Sequence, residues 1–182
     1  MKNKYQLVES EAIFKGEVLS LKLDKVKMPD GTVVEREVVE HKGAVGIVPI
    51  LGNGKVVLVT QYRHPTGDVL LEIPAGKLDE GEDHYKCALR ELEEETGYKA
   101  DKLTKLAVFY TTPGYSDELF YLYLTDSLTQ GVMNREGDEE QDLEVVLLDL
   151  DEALALIPSG KIKDGKTIAG LSLAKFRLKS EV

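Results

Sequence analysis

Four glutamates, Glu91, Glu93, Glu94 and Glu95, fall within five consecutive positions of this 182-residue chain. Apolar residues around them recur at helical spacing. Tyr85, Ala88, Leu89 and Leu92 share one face at about 100° per residue, and Gly97 is placed to stop the helix. Glu91 and Glu95 are four apart and Glu91 and Glu94 three apart, so the three carboxylates share one side. Counted from Tyr85, Glu91 lies at ~240° and Glu95 at ~280°, bordering an apolar stripe centred at ~350°. Like charges at i,i+4 cost a helix about 0.2–0.5 kcal/mol per pair. A divalent cation would offset that repulsion, because hard cations take carboxylate oxygens. The helix alone leaves both readings open, a solvated charged face and a cation site.

The residues upstream sharpen the choice. Gly76 is followed after five residues by Glu82, and after seven more by Arg90-Glu91-Leu92-Glu93-Glu94-Glu95-Thr96-Gly97-Tyr98. This resembles the Nudix box, the loop–helix–loop signature of the Nudix hydrolases. Every fixed position is matched, and the one departure is Tyr98, where an aliphatic is usual. The resemblance implies that Glu91, Glu94 and Glu95 are metal ligands, with the Ala75 carbonyl as a further one. It implies that Glu82 and Arg90 pair to hold the loop against the helix between Gly76 and Gly97, and that Leu92 is core. The expected cation is Mg²⁺, with Mn²⁺ as a substitute. Such enzymes hydrolyse a diphosphate that links a nucleoside to a second group. Metal neutralises charge at phosphorus and lowers the pKa of bound water, and a further carboxylate takes the water's proton.

A second acidic run, Glu136-Gly137-Asp138-Glu139-Glu140-Gln141-Asp142, is the source expected for that base. By resemblance to the ADP-ribose pyrophosphatase subfamily, Glu139 is the first choice, Glu140 the alternative and Gln141 a non-ligating neighbour. Pro113, sixteen residues beyond Gly97, is a second mark of that subfamily. The implied reaction is Mg²⁺-dependent cleavage of ADP-ribose to AMP and ribose 5-phosphate. The alternatives are another nucleoside diphosphate compound (a nucleotide sugar, FAD or NADH) or a non-catalytic ADP-ribose-binding module. Arg63 ends a strand beside the box and could reach a phosphate. Arg36 resembles an arginine that relatives supply from N-terminal strands, often across a homodimer interface. His41, His64 and His84 lack ligand spacing, and Cys87 reads as a small buried side chain.

The charge distribution agrees with this division. The formal charge is −10, yet residues 79–96 hold eight acids and two bases, and residues 136–144 six acids and no base. The rest of the chain is close to neutral, at +2. With no Lys/Arg block, general nucleic-acid or anionic-membrane binding is not expected. A single cysteine excludes an internal disulfide. No signal-peptide core or ~20-residue apolar span is present, so a soluble cytoplasmic protein is expected.

Strands must position these residues. Alternating or apolar runs predict strands at 5–14, 17–28, 33–41, 43–51, 56–63, 69–73, 103–110, 118–124 and 143–148, with turns at Pro29-Asp30-Gly31 and Gly52-Asn53-Gly54. Helices are predicted around 85–96, 151–157 and 167–179. Strands outnumber helices and lack regular crossovers, so the class is α+β. The resemblance implies a Nudix-type α/β/α sandwich with a mixed sheet. Residues 1–42 form an N-terminal antiparallel β extension suited to dimerisation and substrate contact, and 43–182 the hydrolase domain.

Overall fold

The structure, a computed structural model, describes residues 4–134 and 142–180. The chain forms two compact units, one from residues 1–43 and 109–120, the other from 44–108 and 121–182.

The first unit is an antiparallel meander of β1 (Gln6–Lys15), β2 (Leu19–Lys27) and β3 (Val33–His41), in the order β1-β2-β3. The β2–β3 register is unbroken from Leu19 opposite His41 to Lys27 opposite Val33. Their turn closes when the Asp30 carboxylate accepts from the Thr32 amide and hydroxyl. Gly31 there has φ 92°, a conformation that costs glycine nothing. Every residue of β1 is exposed, including Leu7, Val8, Ile13 and Phe14. The loop through Pro113 docks on β3. The Val39 amide donates to the Tyr115 carbonyl at 2.7 Å, and the His41 amide to Asp117 Oδ1 at 2.8 Å.

The second unit carries β4 (Ala44–Pro49), β5 (Lys55–Arg63), β6 (Asp68–Glu72), β7 (Ala75–Lys77), α1 (His84–Thr96) and β8 (Tyr98–Ala100). After these come β9 (Thr104–Tyr110), β10 (Leu119–Thr125), β11 (Leu128–Gln130), β12 (Glu144–Asp149), α2 (Leu150–Ala155) and α3 (Gly165–Lys179). The ends of β9 and β10 run into the first unit. The sheets are β7-β4-β10-β9, β12-β5-β6 and β11-β8.

Strand alternation explains how helices cover both faces of the β4–β10 pair. Val45 and Ile47 of β4 and Tyr123 of β10 pack with Cys87, Ala88 and Leu92 of α1. Val48 and Leu122 point the other way, toward Gly170 of α3, where a Cβ would stand 3.0 Å from Val48. The result is the α/β/α layering that the resemblance implies. Burying a side chain such as Leu92 stabilises this arrangement by about 1.5–3 kcal/mol.

The element boundaries follow from caps. Asp83 Oδ1 accepts from the Tyr85 and Lys86 amides, both at 3.1 Å, and starts α1. Gly97, at φ 72°, ends it in the left-handed conformation. The last helix begins two residues before the predicted 167, because Asp164 Oδ2 caps the Thr167 amide at 2.9 Å. The three-residue strands β7, β8 and β11 were not predicted; pairing creates them, not a periodic pattern. Among the described residues no helix is long and apolar enough to cross a membrane.

Candidate active site

The site grows from the junction of β7 with α1. Glu91 is 5% exposed and Glu95 3%, so both carboxylates are buried on the helix flank that faces the strand segment. Glu95 Oε2 accepts from the Ala75 amide at 3.0 Å. The Glu91 carboxylate lies directly on Gly76, where a Cβ would overlap its carbon and both oxygens. Ala75 and Gly76 in turn pair with Gly46 and Val45 of β4, which fixes the segment to the sheet. Glu94 is half-buried one turn along the same side.

Arg90 gathers the carboxylates. Its Nε donates to Glu82 Oε1 at 3.1 Å and its Nη2 to Glu82 Oε2 at 3.0 Å. Its Nη1 lies 2.9 Å from both Glu91 Oε1 and Glu94 Oε2. One nitrogen therefore bridges two carboxylates. Glu82 also accepts from the Asp79 amide at 3.1 Å, so the pair joins the loop to the helix. The Arg90 hydrogen bonds are the main reason the Glu82 carboxyl is pulled down to about 2, against a smaller opposing effect of burial. The same contacts raise Arg90, so it is always charged.

A pH prediction arises here. Glu82 has a folded pKa of about 2 against an ordinary 4.5, so its contribution is complete above the unfolded value. It is lost as pH falls from the unfolded value toward the folded one. In Glu82→Gln the urea midpoint is expected to be lower at neutral pH and to change less with acid across that window. Parallel midpoint-against-pH curves for variant and parent would remove the pairing as a source of stability.

Among the described residues no group of three His, Cys, Asp or Glu side chains is gathered in metal-holding geometry. The carboxylates are instead turned to protein donors, Arg90 for Glu91 and Glu94 and the Ala75 amide for Glu95. The donor chemistry still fits a hard cation. All the side-chain ligands are carboxylate oxygens, two are buried, and the glycine at 76 leaves room for the Glu91 carboxylate against the backbone.

The other candidates are placed as follows. Arg63, at the end of β5, donates to Glu72 through Nε at 3.0 Å and Nη2 at 2.8 Å. Arg36 is exposed on β3, in the first unit, and shares a cavity of about 350 Å³ with Leu23, Glu35, Glu37, Gly114 and Tyr115 of the Pro113 loop. Glu139, Glu140 and Gln141 lie outside the described residues. Cys87 is buried in the α1 core, and burial drives its thiol pKa upward. Two charged residues were missed, Glu72 and Lys166. A glutamate inside the apolar run Val69–Ile73 was a weak signal; nothing near Lys166 marks it as the partner of a residue 94 positions earlier.

A NUDIX domain matches residues 40–171, and the chain belongs to that family. It is 44% identical over 170 residues to an ADP-ribose pyrophosphatase of Bacillus subtilis (strain 168), covering 93% of this chain and 92% of the relative. It is 43% identical to a methanol dehydrogenase activator of Bacillus methanolicus, with the same coverage. A solved structure described as an ADP compounds hydrolase superposes with a TM-score of 0.86 at 24% identity, covering 98% of this chain and 96% of the other; this likeness concerns the fold.

Proposed function

We propose that the chain hydrolyses the diphosphate of ADP-ribose to AMP and ribose 5-phosphate in a Mg²⁺-dependent reaction, Mn²⁺ serving as a substitute. The observation that carries the reading is the pair of buried carboxylates, Glu91 and Glu95, held against Ala75 and Gly76. Carboxylates are buried at such cost only with compensation. The ADP-ribose pyrophosphatase relative supports the choice of substrate.

Glu91, Glu94, Glu95 and the Ala75 carbonyl would hold the cation. When bound, it supplies charge neutralisation at phosphorus and a water of lowered pKa. Arg90 orients Glu91 and Glu94. Arg63 offers its guanidinium to a substrate phosphate and Arg36 binds from the N-terminal strands. Glu139 takes the proton of the attacking water, with Glu140 as the alternative. Residues 1–42 serve as the extension that pairs two copies in a homodimer, and 43–182 as the hydrolase domain. The exposed apolar side chains of β1 support that pairing. The working compartment is the cytoplasm, and neither nucleic acid nor membrane is a partner.

Incubation of the pure protein with ADP-ribose and Mg²⁺ is expected to release AMP and ribose 5-phosphate. No AMP above an EDTA control would sink the reading. A parallel panel of a nucleotide sugar, FAD and NADH separates substrates that share the diphosphate and differ in the flanking group.

A further inference from the structure

Glu72 is a buried carboxylate for which the proposed chemistry has no use. It ends β6 and is 1% exposed. Two cations converge on it. Arg63 holds both its oxygens in a bidentate pair, and Lys166 of α3 donates to Oε2. Burial pushes Glu72 toward the neutral form; the Arg63 hydrogen bonds and the Lys166 charge outweigh that and keep it ionised. A bidentate pair fixes the guanidinium plane as well as its position. The arginine side chain is 30% exposed, so a buried base presents a partly open cation.

The surroundings of Glu72 are equally determined. The adjacent Ile73 amide donates to the buried Thr167 hydroxyl at 2.8 Å, and that hydroxyl donates to Asp164 at 2.6 Å. Asp164 lies 3.1 Å from Lys166. Three residues beyond Glu72, the Ala75 amide holds Glu95. Glu95 is also among the carboxylates whose charge acts on Arg63. The segment 72–75 thus connects the Arg63–Lys166 pair to the box.

We propose that Glu72 is a positioning residue for substrate binding, which fixes the Arg63 guanidinium, with Lys166 held on the same carboxylate, as a preformed seat for a substrate phosphate. The inference rests on the substrate role proposed for Arg63. An arginine already held in one rotamer loses no further freedom when the anion arrives, whereas a free one does. The competing account is a buried ion cluster that only fastens α3 to β6.

A mutant cycle on steady-state kinetics with ADP-ribose and Mg²⁺ separates the two, with the melting temperature of each variant recorded. Glu72→Gln is expected to raise KM on the order of tenfold and to hold kcat within about threefold. Arg63→Ala is expected to raise KM at least as much. Glu72→Gln in the Arg63→Ala background should then add nothing. If Glu72→Gln does not fold, Glu72→Asp, which keeps the charge and shortens the reach, is judged by the same criteria. An unchanged KM at position 72, or losses that multiply independently with Arg63→Ala, overturns the inference. An unchanged KM in Arg63→Ala overturns the role of Arg63 and the inference with it. If the parent turns over a different diphosphate, the cycle runs on that substrate, so a wrong substrate and a wrong role for Glu72 give different results. No turnover of any diphosphate removes the activity and the inference together.

Discussion

Glu95→Gln is expected to lower turnover by roughly 10²–10⁴, since the metal contact proposed for it, worth several kcal/mol, would be lost and each 1.36 kcal/mol is tenfold. The shape of the side chain is retained. Glu95 Oε2 now accepts from the Ala75 amide. A glutamine would turn its carbonyl to keep that bond and so direct its NH₂ group toward the cation position. The helix should survive, because a buried negative charge has been removed from a crowded acidic face. Near-UV circular dichroism and melting check the fold, and kcat checks the chemistry. Turnover equal to the parent would remove Glu95 from the site.

The second large effect is expected at a residue with no side chain. In Gly76→Ala the new methyl overlaps the Glu91 carboxylate. The colliding atoms are the far end of a flexible side chain, so the strand can stay while the carboxylate swings away. Displacement would take Glu91 Oε1 off Arg90 Nη1 and out of the shared acidic group. Overpacking of this kind costs about 1–3 kcal/mol, which a protein of this size registers as a few degrees in melting temperature. Turnover is expected to fall by ~100-fold if Glu91 is the proposed cation ligand, since a small misplacement at a reacting centre costs that much. A folded variant with full activity would mean that the resting place of Glu91 does not matter.

Much of this was legible in the chain. Alternating and apolar runs located the long strands to within a residue or two, because β3, β5 and β10 each have enough residues to display a pattern. The box spacing marked the helix and the glycine that ends it. What stayed hidden was long-range or very local. β7, β8 and β11 are three residues each and exist because a partner strand lies alongside. The Asp83 and Asp164 caps hold one backbone end each, and one aspartate among many is no signal. The ion partners of Glu72 could not be read from its neighbours, since they arrive from β5 and from α3.

The two ends of the box are each closed on atoms outside the helix. Gly76 pairs with Val45 of β4 at one end. At the other, the Gly97 carbonyl accepts from the Gly131 amide at 2.8 Å and from Gln130 Nε2 at 3.3 Å. The stretch between them therefore behaves as a ruler of fixed length. One inserted residue would rotate everything downstream by about 100° and advance it by about 1.5 Å. Placed between Leu89 and Gly97, a neutral insertion would carry some carboxylates off the strand without removing any of them or changing the net charge. Residue identities in this interval can drift at many positions, but its length cannot; a single-residue insertion there should be worse tolerated than most substitutions within it.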